Sequence, residues 1–575
     1  MHPARSHFDK KESHHITKTG VTETDPFWSP DGKYIYFVSD RLNPSYPWGP
    51  KNTNIYRVAL TKLDKDYKLD RFDKLFEKET KKDSSKPVVK IDYNDLNDRW
   101  EEVVDEQGNQ YSPYIIQKDD ETTILYTSAH DGEKRAMWKT VLNTFDKTKT
   151  KKITGVTTGG YQLSTAKNKY YVLAGGNIYE LKLSDNKVTK IDISENFVKN
   201  LKNEFDQMFE ETWANLQENY YDEKFHGIDW NAMRKRYEKY LSFITSRANL
   251  RTLLSDMLGE LNSSHLGFSS SGSEEKTFYN NRTIEFGIVF DNNAPYKVDH
   301  IVKNSPLDKE DKDVKNGDVL IAMNGKKMDP NMDREYYFTG PFREEEVVLT
   351  FERGGKTFDV KVHPISRAAF ESLLYDEWIE GNKEYVEKKS NNRIAYIHMK
   401  NMGSGELNKF LISMTNDAMY KDALILDIRY NRGGNVHDNV LQFLSQKPYL
   451  QWKYRGGKFT QQPNFTPAAK PIVLLVNAQS LSDAEMTSAG FKQLGLGKII
   501  GTETYRWIIF TSGKSLVDGS FYRLPSWGCY TLDGKDLERN GVAPDIYVDT
   551  TMKDRLENKD PQLDTAINEI EKELK

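Results

Sequence analysis

Ser482 lies at a junction where a serine hydroxyl could take part in chemistry. The apolar run Ile472–Val476 before it predicts a strand buried on both faces, and a helix is predicted from about Asp483 to Leu494. Backbone N–H groups converge at a helix start, so an oxyanion can be held there. The alternative is structural, because Ser482-Asp483-Ala484-Glu485 also has the pattern of a helix capping box.

Four residues in three other segments each have an ordinary structural interpretation when they are taken alone. His265 follows two serines at the end of a helical segment, and a single histidine there is more often a structural or solvated one. Gly433 and Gly434 follow a predicted strand, where glycines let backbone N–H groups approach a ligand but ordinarily form a turn. Glu538 stands in a polar loop and would ordinarily be a solvated charge.

The elements around these positions predict an α/β core. Strands and helices alternate over residues 370–555, which favours a largely parallel sheet, and residues 556–575 are predicted to form a C-terminal helix. Residues 193–270 show helical spacing of apolar side chains and are predicted to be a helical part of the same core. The predicted strands are Arg393–His398, Leu424–Arg429, Ile472–Val476 and Lys498–Gly501.

Residues 276–366 are rich in strand patterns. A Gly-Asp turn at Gly317 leads into an apolar strand that Asn324-Gly325 closes, and this resembles the pattern of PDZ domains. The loop Phe286-Gly287-Ile288 matches the place where such domains receive a peptide C-terminus as an added strand. The alternative is a PDZ-like fold that only spaces its neighbours.

Residues 17–190 contain a repeat in which a strand-like run is followed by a second run with a central aromatic residue. Short strands with turn residues between them are typical of β-propeller blades. We count about three blades, whereas a closed ring typically needs at least four, so the propeller is predicted to be incomplete. An ordinary meandering sheet is the alternative. The paired runs are Tyr34–Val38 with Asn54–Val58, Thr123–Thr127 with Ala136–Val141, and Tyr170–Ala174 with Asn177–Leu181.

The composition excludes several classes of protein. The 575 residues predict roughly three to five domains. A net charge of −4, from 82 basic and 86 acidic residues, gives no support for nucleic-acid binding. The single Cys529 excludes an intramolecular disulfide framework and a multi-cysteine zinc site. No apolar run is long enough to cross a bilayer. The first residues lack the apolar core of a signal peptide, so a cytoplasmic location is expected, or the cell envelope if an upstream signal segment is missing.

Four short motifs occur together in one order: SSH at 263–265, NRGG at 431–434, SDAE at 482–485 and LERNGVAPDI at 537–546. With the PDZ-like insert between them, they resemble the tricorn branch of the C-terminal-processing serine peptidases. The resemblance covers most of the chain from about residue 196 and, more loosely, residues 17–190, because the catalytic region of tricorn follows β-propellers.

The resemblance implies a role for each motif residue. Ser482 matches the nucleophile, His265 the general base, Ser264 a hydroxyl that orients the imidazole, and Glu538 the carboxylate behind it. Backbone N–H groups of Asp483 and of Gly433 or Gly434 match the oxyanion hole. This fits the chemistry, since a serine needs a neighbouring base, and that base needs a third group to fix its tautomer.

One segment departs from the family pattern. Where small glycines usually follow Tyr505, this chain has Arg506 and Trp507. A related branch with a serine–lysine pair carries its lysine about here, so Trp507 argues against such a dyad. The bulky side chain also leaves the shape of the cleft open.

These observations lead to an expected function and two alternatives. We expect a serine endopeptidase or peptide-trimming enzyme that acts through an acyl-enzyme on peptides or unfolded proteins, without cofactor or metal. The family precedent suggests a homo-oligomer. The alternatives are a catalytically silent peptide-binding scaffold and an esterase of the same fold class, although no Gly-x-Ser-x-Gly motif surrounds Ser482.

Overall fold

The computed structural model describes two compact units, Met1–Val198 and Lys199–Lys575. The residues it does not describe are 1–3, 8–11, 18, 43, 45–52, 63–88, 107, 119–120, 131, 133, 144–147, 194–197, 277–280, 342–344, 464–466 and 468–469. Among the helices of the described residues, none is both long and apolar enough to span a bilayer.

The N-terminal unit contains a short hairpin followed by three antiparallel meanders of four strands each. The second and third meanders belong to one eight-stranded sheet, in which β10 and β14 meet at Thr154 and Lys187. The three predicted strand pairs are confirmed as β4–β5, β8–β9 and β12–β13. The strands are β1 (Ala4–His7), β2 (Glu12–His15), β3 (Glu23–Trp28), β4 (Tyr34–Ser39), β5 (Asn54–Ala59), β6 (Trp100–Glu102), β7 (Gln110–Lys118), β8 (Glu121–Ser128), β9 (Ala136–Asn143), β10 (Lys149–Thr157), β11 (Gln162–Ala166), β12 (Lys169–Ala174), β13 (Asn177–Lys182) and β14 (Lys187–Lys190).

The second unit begins with three helices, α1 (Leu201–Asn219), α2 (Trp230–Glu238) and α3 (Arg247–Gly259). Each starts at a capping side chain, because Asn200, Asp229 and Ser246 accept hydrogen bonds from the first turn. Their apolar faces pack against a three-stranded sheet that comes from distant parts of the sequence. The strands of this sheet are β15 (Gly267–Ser269), β31 (Phe510–Ser515) and β32 (Phe521–Trp527).

The predicted PDZ-like segment folds into short antiparallel sheets around its own apolar core. Phe286, Phe351 and Val362 lie in that core. Its elements are β16 (Arg282–Glu285), β17 (Ile288–Phe290), β18 (Val298–Ile301), β19 (Val319–Met323), β20 (Lys326–Lys327), α4 (Glu335–Phe338), β21 (Thr339–Gly340), β22 (Val347–Arg353), β23 (Lys356–Val362) and β24 (Ile365–Ser366).

The remaining elements form the predicted α/β core around a five-stranded sheet in the order β25-β26-β29-β30-β33. All its neighbouring strands are parallel, which confirms the predicted parallel sheet. Its elements are α5 (Arg367–Lys389), β25 (Ile394–His398), α6 (Ser404–Thr415), β26 (Ala423–Asp427), α7 (His437–Leu444), β27 (Leu450–Lys453), β28 (Phe459–Gln462), β29 (Ile472–Val476), α8 (Asp483–Gln493), β30 (Lys498–Gly501), α9 (Leu537–Asn540), β33 (Ile546–Tyr547), α10 (Met552–Leu556) and α11 (Pro561–Glu573).

Strand β29 shows why its sequence is wholly apolar. Leu474 and Val476 pack into a core with α6, α7 and α8, while Val473 and Leu475 pack on the opposite face with α11. Because both faces are covered, alternating polar residues would be buried. The sheet therefore fixes the direction in which the chain enters Ser482.

Candidate active site

Ser482 combines a strained backbone with a hydroxyl that faces a histidine. It links β29 to α8 with φ +58° and ψ −119°, which is unusual for a residue other than glycine. Its N–H donates to Glu485 Oε1 at 3.2 Å, while its Oγ lies 3.1 Å from His265 Nε2. The two interpretations of this stretch therefore coexist: the backbone belongs to a capping arrangement, and the hydroxyl is aimed at an imidazole.

The hydrogen bonds continue from His265 through Ser264 to Glu538. His265 Nδ1 lies 3.1 Å from Ser264 Oγ, and the Ser264 hydroxyl donates to Glu538 Oε2 at 2.8 Å. The Ser264 N–H donates to Glu538 Oε1 at 2.6 Å, which fixes the carboxylate. If Nδ1 carries the imidazole proton, every hydroxyl and ring N–H in this series of hydrogen bonds has an acceptor, and Nε2 is free to accept from Ser482.

The surroundings of His265 favour its neutral form. Burial, and to a smaller extent the positive charge of Arg523, lowers the pKa of the imidazole from 6.5 to about 4. A neutral imidazole at neutral pH can accept a proton, so His265 has the protonation state that a general base requires.

The glycine pair lies against the serine. A Cβ added to Gly433 would come within 2.5 Å of Ser482 Cβ, and Gly433 has φ +75°, so both space and backbone conformation favour glycine there. The Gly433 N–H donates to Asn431 Oδ1 at 2.9 Å. Among the described residues, the N–H groups of Gly434 and Asp483 have no acceptor. Of the predicted oxyanion donors, these two are therefore available.

Trp507 lies beside the histidine, in the segment that departs from the family pattern. Its ring centroid is 5.1 Å from that of His265, and Tyr505 stacks against Trp507 at 5.4 Å. A cavity of about 830 Å³ borders this group, and His265, Trp507, Glu538 and Arg539 contribute to its wall. Trp507 thus forms part of the cleft wall, at the place where the sequence had not determined the shape of the cleft.

Glu485 holds this aromatic segment in place. Its buried carboxylate accepts the Thr504 hydroxyl at 2.6 Å and the N–H groups of Arg506 and Trp507 at 2.8 and 2.7 Å. These bonds stabilise Arg506 at φ +70°. Sequence reasoning identified Glu485 only as a capping residue, because the partners of its other oxygen lie about 20 residues away.

The predicted peptide-binding loop is not part of this group. Phe286 and Ile288 are buried in the core of the strand-rich segment, where Phe286 packs against Phe338. Gly287 has φ +89°, and a Cβ there would come within 2.1 Å of Ser305 Cβ. All three residues of this loop are therefore buried. No cluster of three or more potential metal-ligating side chains occurs in the part of the chain that the structure describes.

Comparison with known families gives two matches. Residues 393–548 match the model of peptidase family S41, and residues 201–259 match that of the tricorn protease C1 domain. The suspected resemblance to tricorn-type proteases is thus confirmed.

Individual relatives extend this similarity along the chain. A putative tricorn-like protease C-terminal subunit of Sulfurisphaera tokodaii is 29% identical over 97% of this chain and 66% of its own length. The tricorn protease of Thermoplasma acidophilum is 27% identical over 79% of this chain and 43% of its own. A crystal structure of tricorn protease superposes with a TM-score of 0.74 at 21% identity, covering 99% of this chain and 56% of that one. The chain therefore has a tricorn-like fold and spans two thirds or less of these relatives.

The lowered pKa of His265 predicts an unusual pH profile for any reaction that uses it as a base. Because the imidazole becomes protonated only near pH 4, kcat/KM should stay high at pH 5 and fall to half near pH 4. The measurement is kcat/KM from pH 3.5 to 8 on a chain shown to remain folded. Arg523→Gln should move this limb to higher pH, since it removes a charge that disfavours the imidazolium. A limb near pH 6.5 in the parent protein would contradict the prediction.

Glu485→Gln tests the anchor of the aromatic segment. An amide keeps one oxygen acceptor but turns an NH₂ group toward the backbone donors, so we expect the free energy of unfolding to fall by about 2 kcal/mol. We also expect the fluorescence of Trp507 to shift, because its ring leaves His265. Urea unfolding and emission spectra measure both effects, with Trp507→Phe to assign the fluorescence change. An unchanged spectrum would show that Glu485 does not position the segment.

Proposed function

Since the chain is a homologue of the tricorn-type proteases and carries a serine-type peptidase domain of family S41, we propose that it is a serine endopeptidase or peptide-trimming enzyme. The observation that carries the proposal is the 3.1 Å approach of Ser482 Oγ to His265 Nε2, with Ser264 and Glu538 continuing the hydrogen bonds. Its substrates would be peptides or unfolded proteins.

The first half of the reaction forms an acyl-enzyme. Ser482 Oγ attacks the carbonyl carbon of the scissile peptide bond while His265 Nε2 takes the hydroxyl proton. The negative charge moves to the carbonyl oxygen, where the N–H groups of Asp483 and Gly434 can stabilise it. The C–N bond then breaks, and the imidazolium gives its proton to the leaving amine.

The second half regenerates the serine. His265 takes a proton from water as the water oxygen attacks the acyl carbon, and the tetrahedral intermediate again places its charge at the same N–H groups. When that intermediate collapses, the bond to Ser482 Oγ breaks, the serine regains its proton, and the peptide acid leaves. No cofactor enters this sequence of steps.

The Ser264–Glu538 pair has a specific part in both halves. Burial disfavours the imidazolium that must form, as the low pKa of His265 indicates. A carboxylate linked to Nδ1 through the Ser264 hydroxyl offsets part of that cost during the proton transfers. It also keeps the proton on Nδ1, so that Nε2 faces Ser482.

Two parts of the chain are proposed to handle the substrate. Three four-stranded meanders support the interpretation of residues 17–190 as incomplete β-propeller blades that gate access. The PDZ-like segment is proposed to bind a peptide C-terminus. Strand β17, which follows Gly287, pairs with β18, and its other edge has no strand partner among the described residues. A homo-oligomer, as in the family precedent, is part of the same proposal.

Ester hydrolysis is retained as a second candidate because of one observation. Ser482 has positive φ directly before a helix that follows a parallel strand, which is similar to the strained nucleophile turn of α/β-hydrolases, although residues 477–481 separate it from β29 and the Gly-x-Ser-x-Gly motif is absent. The silent-scaffold alternative predicts that neither esters nor peptides are hydrolysed.

Labelling with a fluorophosphonate tests the proposal directly. Wild type should be labelled at Ser482, as mapped by peptide mass spectrometry, and should hydrolyse peptides faster than simple esters, whereas Ser482→Ala should do neither. Ser264→Ala should lower kcat by about 10²–10⁴, because it removes the group that orients the base. Ser263→Ala is the matched control, since its hydroxyl bonds Tyr220 and should leave kcat unchanged. An unlabelled Ser482 in folded protein would favour the scaffold.

Peptide capture by the PDZ-like segment is a separate prediction. With Ser482→Ala to prevent turnover, a peptide with a free C-terminal carboxylate should bind more tightly than its amide, because backbone N–H groups of the Phe286–Ile288 loop would receive the carboxylate. Fluorescence anisotropy with the two peptides measures the difference. Equal affinities would indicate that the segment acts only as a spacer.

A further inference from the structure

The Asp483 side chain connects the two segments that carry the available N–H donors. Its carboxylate is buried, and Oδ2 accepts from the N–H groups of Val436 and His437 at 2.7 and 3.1 Å. Its Oδ1 bonds Nδ1 of His437. One carboxylate therefore receives three donors from two consecutive residues at the start of α7.

The contact of the Asp483 carboxylate with these donors matters because the donors lie close in sequence to Gly434. Val436 and His437 follow Gly434 by two and three residues, and Gly434 carries one of the two available N–H groups. The other belongs to the backbone of Asp483 itself. The side chain of one donor residue thus holds the segment that supplies the other donor.

The glycine segment is fastened to the serine loop on its other side too. Leu481, directly before Ser482, donates its N–H to the Asn431 carbonyl at 3.0 Å. The segment from Asn431 to His437 is therefore tied at both ends to the residues that flank Ser482. Oxyanion stabilisation requires donors at about 2.7–3.1 Å from the oxygen, so the two segments must be held at a fixed separation for both donors to reach it.

Burial makes this contact dependent on all its partners. A carboxylate that is 2% exposed is costly unless hydrogen bonds and a positive charge compensate it. Burial acts to lower the pKa of the His437 imidazole, but the hydrogen bond and charge of Asp483, together with the charge of Asp438, raise it above its ordinary value, which favours the cation beside the carboxylate. Removing either side chain should therefore release the other.

We propose that the Asp483 side chain, together with His437, is a positioning pair that sets the separation of the Asp483 and Gly434 N–H groups for the oxyanion. The inference rests on the proposed function. The Asp483 carboxylate bonds the Val436 and His437 N–H groups and the His437 ring, so the pair is proposed to act by holding the backbone donors.

The test compares Asp483→Ala, His437→Leu and the double variant with wild type. Peptide hydrolysis gives kcat and KM, and a peptide boronic acid, which forms a tetrahedral adduct on a serine, reports oxyanion stabilisation. We expect Asp483→Ala to lower kcat by about 10- to 100-fold with KM changed less than threefold, because small displacements of donors carry penalties of this size. Boronate affinity should fall in parallel, and the double variant should lose no more than the worse single variant.

Two further variants separate positioning from stability. Asp483→Asn keeps an oxygen for the Val436 and His437 N–H groups and should recover part of kcat. Asp518→Ala removes another buried carboxylate, one that accepts the Ser520 N–H at 2.8 Å and pairs with Arg247. It should lower the unfolding temperature without changing the ratio of boronate to substrate affinity.

The outcomes distinguish this inference from the proposed function. If folded Asp483→Ala retains kcat within threefold of an active wild type, or loses kcat without losing boronate affinity, the positioning role is wrong and the proposed function stands. If wild type neither hydrolyses peptides nor binds the boronate, the proposed function and the inference fail together.

Discussion

The site depends on one hydrogen bond that joins two parts of the chain far apart in sequence. Ser482 Oγ and His265 Nε2 are 217 residues apart, and the serine comes from the parallel core while the histidine follows the helical part. Strand β32 makes their meeting possible, because it pairs with β15 directly after His265 and belongs to the same region of sequence as Trp507. Through this strand pairing, the α/β core holds His265 next to Ser482.

Parts of this arrangement could be predicted from sequence because local patterns determine them. The bounds of β29 and β30 agree with the prediction, because β29 is covered on both faces and is apolar throughout, while β30 ends at Gly501. The identities of His265 and Glu538 required the family resemblance, because a lone histidine or a loop glutamate carries no local signal. In the structure they lie with Ser482, but their catalytic roles stay predictions.

The contacts that sequence reasoning missed share one property. Glu485 with Trp507, and Asp483 with His437, join residues whose proximity is decided by how α8 packs against its neighbours. A helix start rich in acids looks the same whether its carboxylates face water, cap the helix or bind another segment. Periodicity cannot distinguish these cases, because it reports which face is buried and not what covers it.

Backbone strain concentrates where these segments meet. Ser482, His265, Arg506 and Tyr430 are non-glycine residues with positive φ, from four separate segments that meet around the serine. Each such residue costs about 1–3 kcal/mol and persists only if its surroundings enforce it. Glu485 bonds the backbone of Ser482 and Arg506, Asn477 accepts the Tyr430 N–H, and Glu538 accepts the N–H preceding His265. Buried side-chain acceptors at the ends of these segments therefore offset the strain, and the same acceptors set the geometry of the hydroxyl, the imidazole and the N–H donors.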